Sequence, residues 1–510
     1  MSSPIVAPVL ALQALSALWS VAELDPHALA RADLEGREPV LPSSFAVGTA
    51  AQVSLAAAAL AGAEIGLTRH GVRQRIAVDM LHAALECRAW FSLNGRTPEV
   101  WDKLSGLYPC GSAVGAPGWV RIHANFAHHR DGALQLLGCT PGPATERAAV
   151  ANALCHWRAE DFEAAAAQAG MVVAAARDFE AWDAHPQAPA LAALPTVSIT
   201  PIVDAGADAA PRDLASPDLA SPDRANPGLA IRPAEAGATP PPLRWPDANR
   251  DAAPLQGIRI LDLTRILAGP VAGRTLAAYG ADVMLINSPD LPNIESIADT
   301  SRGKLSAHVD LNSESGREAL RRLISSSHVF MQGYRPGGLA ALGFGPLELA
   351  RLRPGIVYVS LSAYGALGPW AGRRGFDSLV QTATGFNHAE ASAYDAARPH
   401  ALPMPILDYA AGYLLAFGAQ AALLRQAKQG GSWHVQVSLA GVGHWLRSLG
   451  RVAVEPAPPT PNHEPFLETF PGGFGEVIAL RHAARFSATP ARWRRPSMPP
   501  GSHSPVWPRA

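Results

Sequence analysis

Two stretches of the 510-residue chain carry small and apolar residues almost without a break. The first covers about 46–63 and the second runs from Leu407 to about 425. A helix with no polar face is a helix buried on all sides. A second pattern begins at Ile258. Short β-rich runs (Ile258 to Leu263, DVMLINSP, HVFMQGY at 328–334, GIVYVSLS at 355–362) alternate with helical segments (VAGRTLAAYGA ending at Gly280, 314–326, 346–352). Pro270 suits the first position of the first of these helices. Strands alternating with helices predict an α/β fold, a Rossmann-like open parallel sheet with helices on its faces. The lack of a GxGxxG turn argues against a dinucleotide cofactor.

The N-terminal third reads differently. A strand is predicted over 118–126, two amphipathic helices within 144–171, and an acidic, Trp-bearing turn at 178–187. These describe a smaller mixed α+β domain. Pro, Ala and Asp dominate 203–253, where ASPD repeats. Such a segment buries too little apolar surface to offset its ordering entropy and is expected to be a linker. The expected division is 1–202, 203–253, 254–450 as the Rossmann-like core, and 451–510 as a Pro-rich return tail lying extended over the α/β region.

The two apolar stretches are copies of one another. GTAAQVSLAAAALAGAEIGLTRHGVRQRIAVDM (Gly48 to Met80) matches LDYAAGYLLAFGAQAALLRQAKQGGSWHVQVSL (Leu407 to Leu439) as a small-residue helix, a basic Gly-containing turn and a short alternating strand. Thr49 stands in the first copy where Asp408 stands in the second. One copy therefore offers a carboxylate and the other is framework.

Charge and cysteine usage narrow the classes. A net charge of -1 gives no nucleic-acid footprint and no polybasic membrane patch. The four cysteines show no CxxC spacing, so reduced thiols in a cytoplasmic protein are expected. The apolar N-terminus lacks a basic flank, which weakens a signal-peptide reading. Alanine-rich helices closed by Glu64 read as buried helices rather than membrane spans. His123, His128 and His129 cluster without matching Cys or carboxylates, so no metal site is expected. No GxSxG nucleophile elbow is present.

Six segments in order resemble the family III CoA-transferases (the CaiB/BaiF type): LQGIRILDLTRILAGPVAGRTLAAYGADVMLIN, SRGKLSAHVDL, YRPGGLAALGF, RPGIVYVSLSAYGALGP, GFDSLVQTATG and ILDYAAG. The N-terminal region resembles the later part of the same family, so the parts stand in rearranged order with the helix-strand element duplicated at the seam. The resemblance implies an acyl-CoA:carboxylate CoA-transferase with Asp408 as nucleophile. Read from its residues alone, Asp408 is equally a helix cap. By the same resemblance Asp377 lines the active site, and Ala268, Gly269, Pro270, Arg302, Lys304, Tyr334, Pro336 and Gly337 bind CoA, with Arg302 and Lys304 as cations for its phosphates. No cofactor is held permanently; coenzyme A esters are substrates, and a carboxylic acid is the acceptor. Related racemases move an α-proton with a His that falls on Phe376 here, which speaks against a 2-methylacyl-CoA racemase or isomerase. Asn287-Ser288 and Ala341 depart from the family's clamp and keep open a catalytically inactive CoA-binding paralogue. The family's interlocked dimer implies either a homodimer or an intramolecular pseudo-dimer in which residues 1–200 pack on 254–450.

Overall fold

A computed structural model describes residues 9–203, 240–247, 249 and 251–508. The linker expected over 203–253 falls mainly outside the described residues. Seven strands form the main sheet: β1 (Ser198–Pro201), β2 (Arg259–Leu263), β3 (Asp282–Asn287), β4 (Lys304–His308), β5 (Val329–Gln332), β6 (Val357–Ser362) and β7 (Trp433–Ser438). Their spatial order is β4-β3-β2-β5-β6-β7-β1. All pairs are parallel except β7 with β1, an antiparallel edge strand contributed by the N-terminal half. The order reverses beside β2, so the crevice at the carboxyl ends of β2 and β5 is where such sheets place ligands.

Four helices position the site: α1 (Val47–His70), α2 (Ala268–Ala278), α3 (Asp377–Ala383) and α4 (Ile406–Gln429). The apolar helices α1 and α4 have 24 residues each and pack within one core, with Gln420 of α4 donating to the carbonyl of Ala58 in α1 (3.0 Å). Both are long and apolar enough to cross a membrane. Yet 89% and 100% of their apolar windows are buried inside the chain, so their hydrophobic faces are already occupied by protein. Pro270 occupies the third helical position of α2, not the first as predicted, because the helix already begins at Ala268.

Close approach of α2 and α4 depends on glycine. A Cβ on Gly412 would stand 2.5 Å from the carbonyl oxygen of Ala268 and 2.8 Å from Val271. Gly412 follows Asp408 by one helical turn and shares its face. Gly412→Ala is therefore expected to destabilise the protein by about 1–3 kcal/mol, as overpacking does. It also lifts Asp408 away from α2. Urea unfolding checks the cost. An unchanged midpoint would show that the helices can part freely.

A smaller antiparallel sheet (Gly106–Cys110, Gly118–Ile122, Val173–Ala175) has its own core with Leu134, Leu154 and Phe162. It docks on α3, where the Arg177 N–H donates to the Thr382 carbonyl (3.3 Å). The two predicted helices are Arg147–Leu154 and Ala159–Gln168, and the acidic turn contains a short helix, Phe179–Asp183. The tail is more ordered than an extended return. LETFPG and GEVIAL form a hairpin, and Ala484–Phe486 pairs with Ile76–Asp79 of the N-terminal half. Alternation around a Gly-Gly turn was the available signal.

Candidate active site

Asp408 is the third residue of α4, and Pro405, not Asp408, precedes the helix as its cap. The cap alternative is thus not realised. Its carboxylate makes no hydrogen bond or ion pair among the described residues. It is 9% exposed and forms part of the wall of a cavity of about 380 Å³. The first turn of α2 faces the same cavity through Ala268. N–H groups in a first turn lack intrahelical partners and carry partial positive charge, which suits an anion or a developing oxyanion. Ile266, two residues before α2, lines the cavity with φ 76°. That value is strained for a β-branched residue and marks a backbone held in place by its surroundings.

Asp377 does not line this cavity. It lies behind Asp408, fully buried, and accepts the backbone N–H of Asp408 on Oδ2 (3.0 Å) and the Gln381 amide on Oδ1. Burial pushes its carboxyl up to about 6, against the pull of those hydrogen bonds and of Arg121. Burial, then the charge of Asp377, raises Asp408 well above the ordinary range. Two neighbouring buried carboxyls cannot both ionise cheaply, so they titrate as a pair. Asp377 holds the hydrogen bonds and keeps the charge; Asp408 holds the proton in the empty site. For Asp377→Asn the like charge disappears and Asp408 ionises more readily. The Asp408 carboxyl, followed by its C=O stretch in infrared spectra, is therefore expected to titrate at lower pH in that variant. A titration that stays put or moves upward contradicts the pairing.

The degenerate copy repeats this construction. Thr49 is the third residue of α1, and its N–H donates to the buried carboxylate of Glu38 (2.6 Å), as Asp408 does to Asp377. Both helices start from nearly the same backbone: Ala46 at φ -74°, ψ 59° and Pro405 at φ -75°, ψ 62°. The backbone pattern survives in both copies and the carboxylate in one.

Of the residues assigned to CoA, Ala268, Tyr334 and Pro336 line the Asp408 cavity. Gly337 lines a neighbouring cavity of about 170 Å³ that shares Tyr334 and Pro336 with it. Gly269 and Pro270 are buried in α2 behind the wall. Arg302 and Lys304 are not available to phosphates here. Arg302 is buried against Asp299 and Glu468. Lys304 donates to Asp262 and to the Pro270 carbonyl (both 2.8 Å), pinning β4 to β2 and to the start of α2. A cation at the buried start of a sheet strand needs an internal partner, and taking one removes it from ligand duty. The cations lining the cavity are instead Arg265, Arg335, Arg373 and Arg374. Arg265 and Arg335 lie within the family-like segments, and Arg373 and Arg374 stand three and two residues before Phe376, so charge beside a recognised motif was the missed signal.

The opposite wall comes from the N-terminal half: Phe126, His128 and His129. Phe376 stacks on His123 with ring centres 4.0 Å apart. Burial depresses His123 to about 3 and His129 to about 4. No group of three or more His, Cys, Asp or Glu able to hold a metal occurs among the described residues.

Residues 255–465 match the family described as CoA-transferase family III. The acetyl-coenzyme A transferase nodX of Hypoxylon pulicicidum is 34% identical over 226 residues, 42% of this chain and 38% of that protein. The probable fatty acyl-CoA transferase Rv3272 of Mycobacterium tuberculosis is 33% identical over 233 residues, 42% of this chain and 59% of that protein. The succinate–glutarate CoA-transferase of Agrobacterium fabrum is 32% identical over 209 residues, 37% of this chain and 52% of that protein. A crystal structure of Rv3272 shares 33% identity over 39% of this chain and 58% of that chain, with a TM-score of 0.36. The chain spans about half the length of these relatives. The matched segment, 255–465, holds α2, α3, α4 and every strand of the main sheet except β1.

Proposed function

We propose that this protein is an acyl-CoA:carboxylate CoA-transferase working through a covalent intermediate on Asp408. One observation carries the reading: an unpartnered carboxylate in the cavity wall, within the family segment, next to the first turn of a helix. Asp408 first releases its proton to solvent through the cavity, and the ionised oxygen attacks the thioester carbonyl of the acyl-CoA. The C–S bond breaks, CoA leaves as thiolate, and an acyl–aspartyl mixed anhydride remains. The thiolate then attacks the aspartyl carbonyl, releasing the donor carboxylate and leaving Asp408 as a CoA thioester. The acceptor carboxylate attacks that thioester and expels the thiolate. Attack of the thiolate on the acceptor's carbonyl gives the new acyl-CoA and frees Asp408. Electron pairs balance without a net proton. Covalent catalysis divides one difficult exchange into four easier displacements.

The first-turn N–H groups of α2 meet the oxyanions, and the four cavity arginines attract the anionic CoA and acid. Tyr334 and Pro336 contact the ligand. Walls from both halves of the chain support an intramolecular pseudo-dimer in which one chain completes one site. Phe376, which cannot accept a proton, favours transfer over racemisation.

The test is to incubate the protein with an acyl-CoA, quench with hydroxylamine and locate the modification by mass spectrometry. A hydroxamate at residue 408 is expected. Its absence during turnover overturns the mechanism.

A further inference from the structure

A cavity of about 990 Å³ shares no lining residue with the Asp408 cavity. It lies between the tail hairpin and the tail segment 490–496, and the N-terminal half closes one side through Glu35 and His82. Six arginines and three carboxylates line it. The carboxylates are already engaged. Glu35 meets Arg485 (3.9 Å), Glu468 meets Arg302 (3.0 Å), and Asp79 caps a helix through the His82 N–H (2.7 Å). Arg495 is paired with Asp282 outside the lining. Three guanidinium groups remain without an ion-pair partner among the described residues. Arg481 lies over the Phe466 ring, Arg494 donates to the amide oxygen of Gln256, and Arg492 is exposed. Three uncompensated forks in one cleft oppose each other unless an anion joins them, and guanidinium geometry suits phosphate oxygens.

The cleft also carries aromatic surface. Phe466 is backed by His82 with ring centres 4.4 Å apart, and Trp493 by the Arg302 guanidinium at 3.8 Å. Rings braced in this way offer rigid apolar contact at low entropic cost. His482 adds a polar atom: its Nδ1 accepts the Ala484 N–H (3.1 Å), while Nε2 is buried without a partner. The volume is that of a small-molecule site. The chain's net charge of -1 and the acidic edge at Glu35 and Asp79 disfavour an extended polyanion.

We propose that this cleft is a second ligand site, for a phosphorylated small molecule that carries a flat ring, of the nucleotide class. Its phosphates lie against Arg481, Arg492 and Arg494, and its ring against the wall of Phe466 and Trp493. Because Ala484–Phe486 completes a sheet with the N-terminal strand Ile76–Asp79, the ligand also ties the tail to that half.

The experiment uses the full chain and calorimetric titration with ADP and, separately, with inorganic pyrophosphate. ADP is expected to bind more tightly than pyrophosphate and to raise Tm. Arg492→Ser and Arg494→Ser, both at exposed residues, are each expected to weaken ADP by about tenfold, the range for a charged hydrogen bond. Arg335→Ser, in the Asp408 cavity, leaves ADP affinity unchanged. The proposal is overturned if ADP shows no binding at millimolar concentration, if Arg335→Ser alone weakens it, or if pyrophosphate binds as tightly as ADP.

Discussion

Replacing Asp408 by Asn is expected to abolish CoA exchange while making the protein more stable. On the proposed mechanism Asp408 has no substitute within the cavity, and removal of a covalent nucleophile costs about 10⁴-fold or more in rate. Stability moves the other way. The folded values of both Asp377 and Asp408 are raised above those of the unfolded chain. A raised carboxyl contributes its stability when protonated, below the unfolded value of about 4, and loses it as pH rises through the folded value. For Asp377 that value is about 6. At pH 8 the wild type therefore carries an ionised Asp377 beside a second buried carboxyl whose ionisation it opposes, and Asp408→Asn removes that second acid. The variant's Tm is expected to exceed the wild type's by on the order of 2 °C at pH 8, and the gap to shrink at pH 5. Scanning calorimetry at both pH values checks this. Retained exchange, or a Tm that falls at pH 8, contradicts the assignment of Asp408 as a nucleophile kept at a cost in stability.

The second large effect lies at Arg274. Its guanidinium joins Glu86 of the N-terminal half (2.9 Å) to Asp299, and both pairs are almost completely buried. Asp299 passes the charge on to Arg302, and Arg302 to Glu468 on the tail hairpin. One buried chain of alternating charges therefore connects three parts of the sequence. Glu86 also accepts the Ala483 N–H (2.8 Å), so loss of the arginine disturbs the tail as well. Arg274→Met leaves two buried carboxylates facing each other and is expected to cost about 3–5 kcal/mol. An exposed pair such as Arg317–Glu314 contributes about 0–1 kcal/mol by comparison. The triple variant Glu86→Gln, Arg274→Met, Asp299→Asn removes the orphaned charge and should recover most of the loss. Urea midpoints of the three proteins, wild type, Arg274→Met and the triple variant, decide it. A single Arg274→Met variant within about 1 kcal/mol of wild type would show that the network is not a structural tie.

Much of this site was legible in the chain. Strand and helix order followed from local periodicity, because burial on a sheet fixes which positions are apolar whatever the neighbours are. The carboxylate at Asp408 stood out because its repeat carries Thr49. The buried fate of Arg302 and Lys304 was not legible. Both sit in basic turns that read as solvated, and only Asp262 of β2 facing Lys304 and Glu468 of the tail hairpin facing Arg302 turn them inward. The same holds for Asp377. Its distance in sequence from Asp408 hides the hydrogen bond that couples them.

The sequence by itself determined the elements, the duplicated helix and the single carboxylate that sets its two copies apart, since these depend on residues near one another in the chain. Tertiary structure decided which cations face the cavity, that the N-terminal half supplies its far wall, and that Asp408 carries the proton of a shared pair. Those outcomes turn on desolvation and on charge across contacts between distant segments. No local pattern encodes them, because the energy of a buried charge is set by what the fold places beside it.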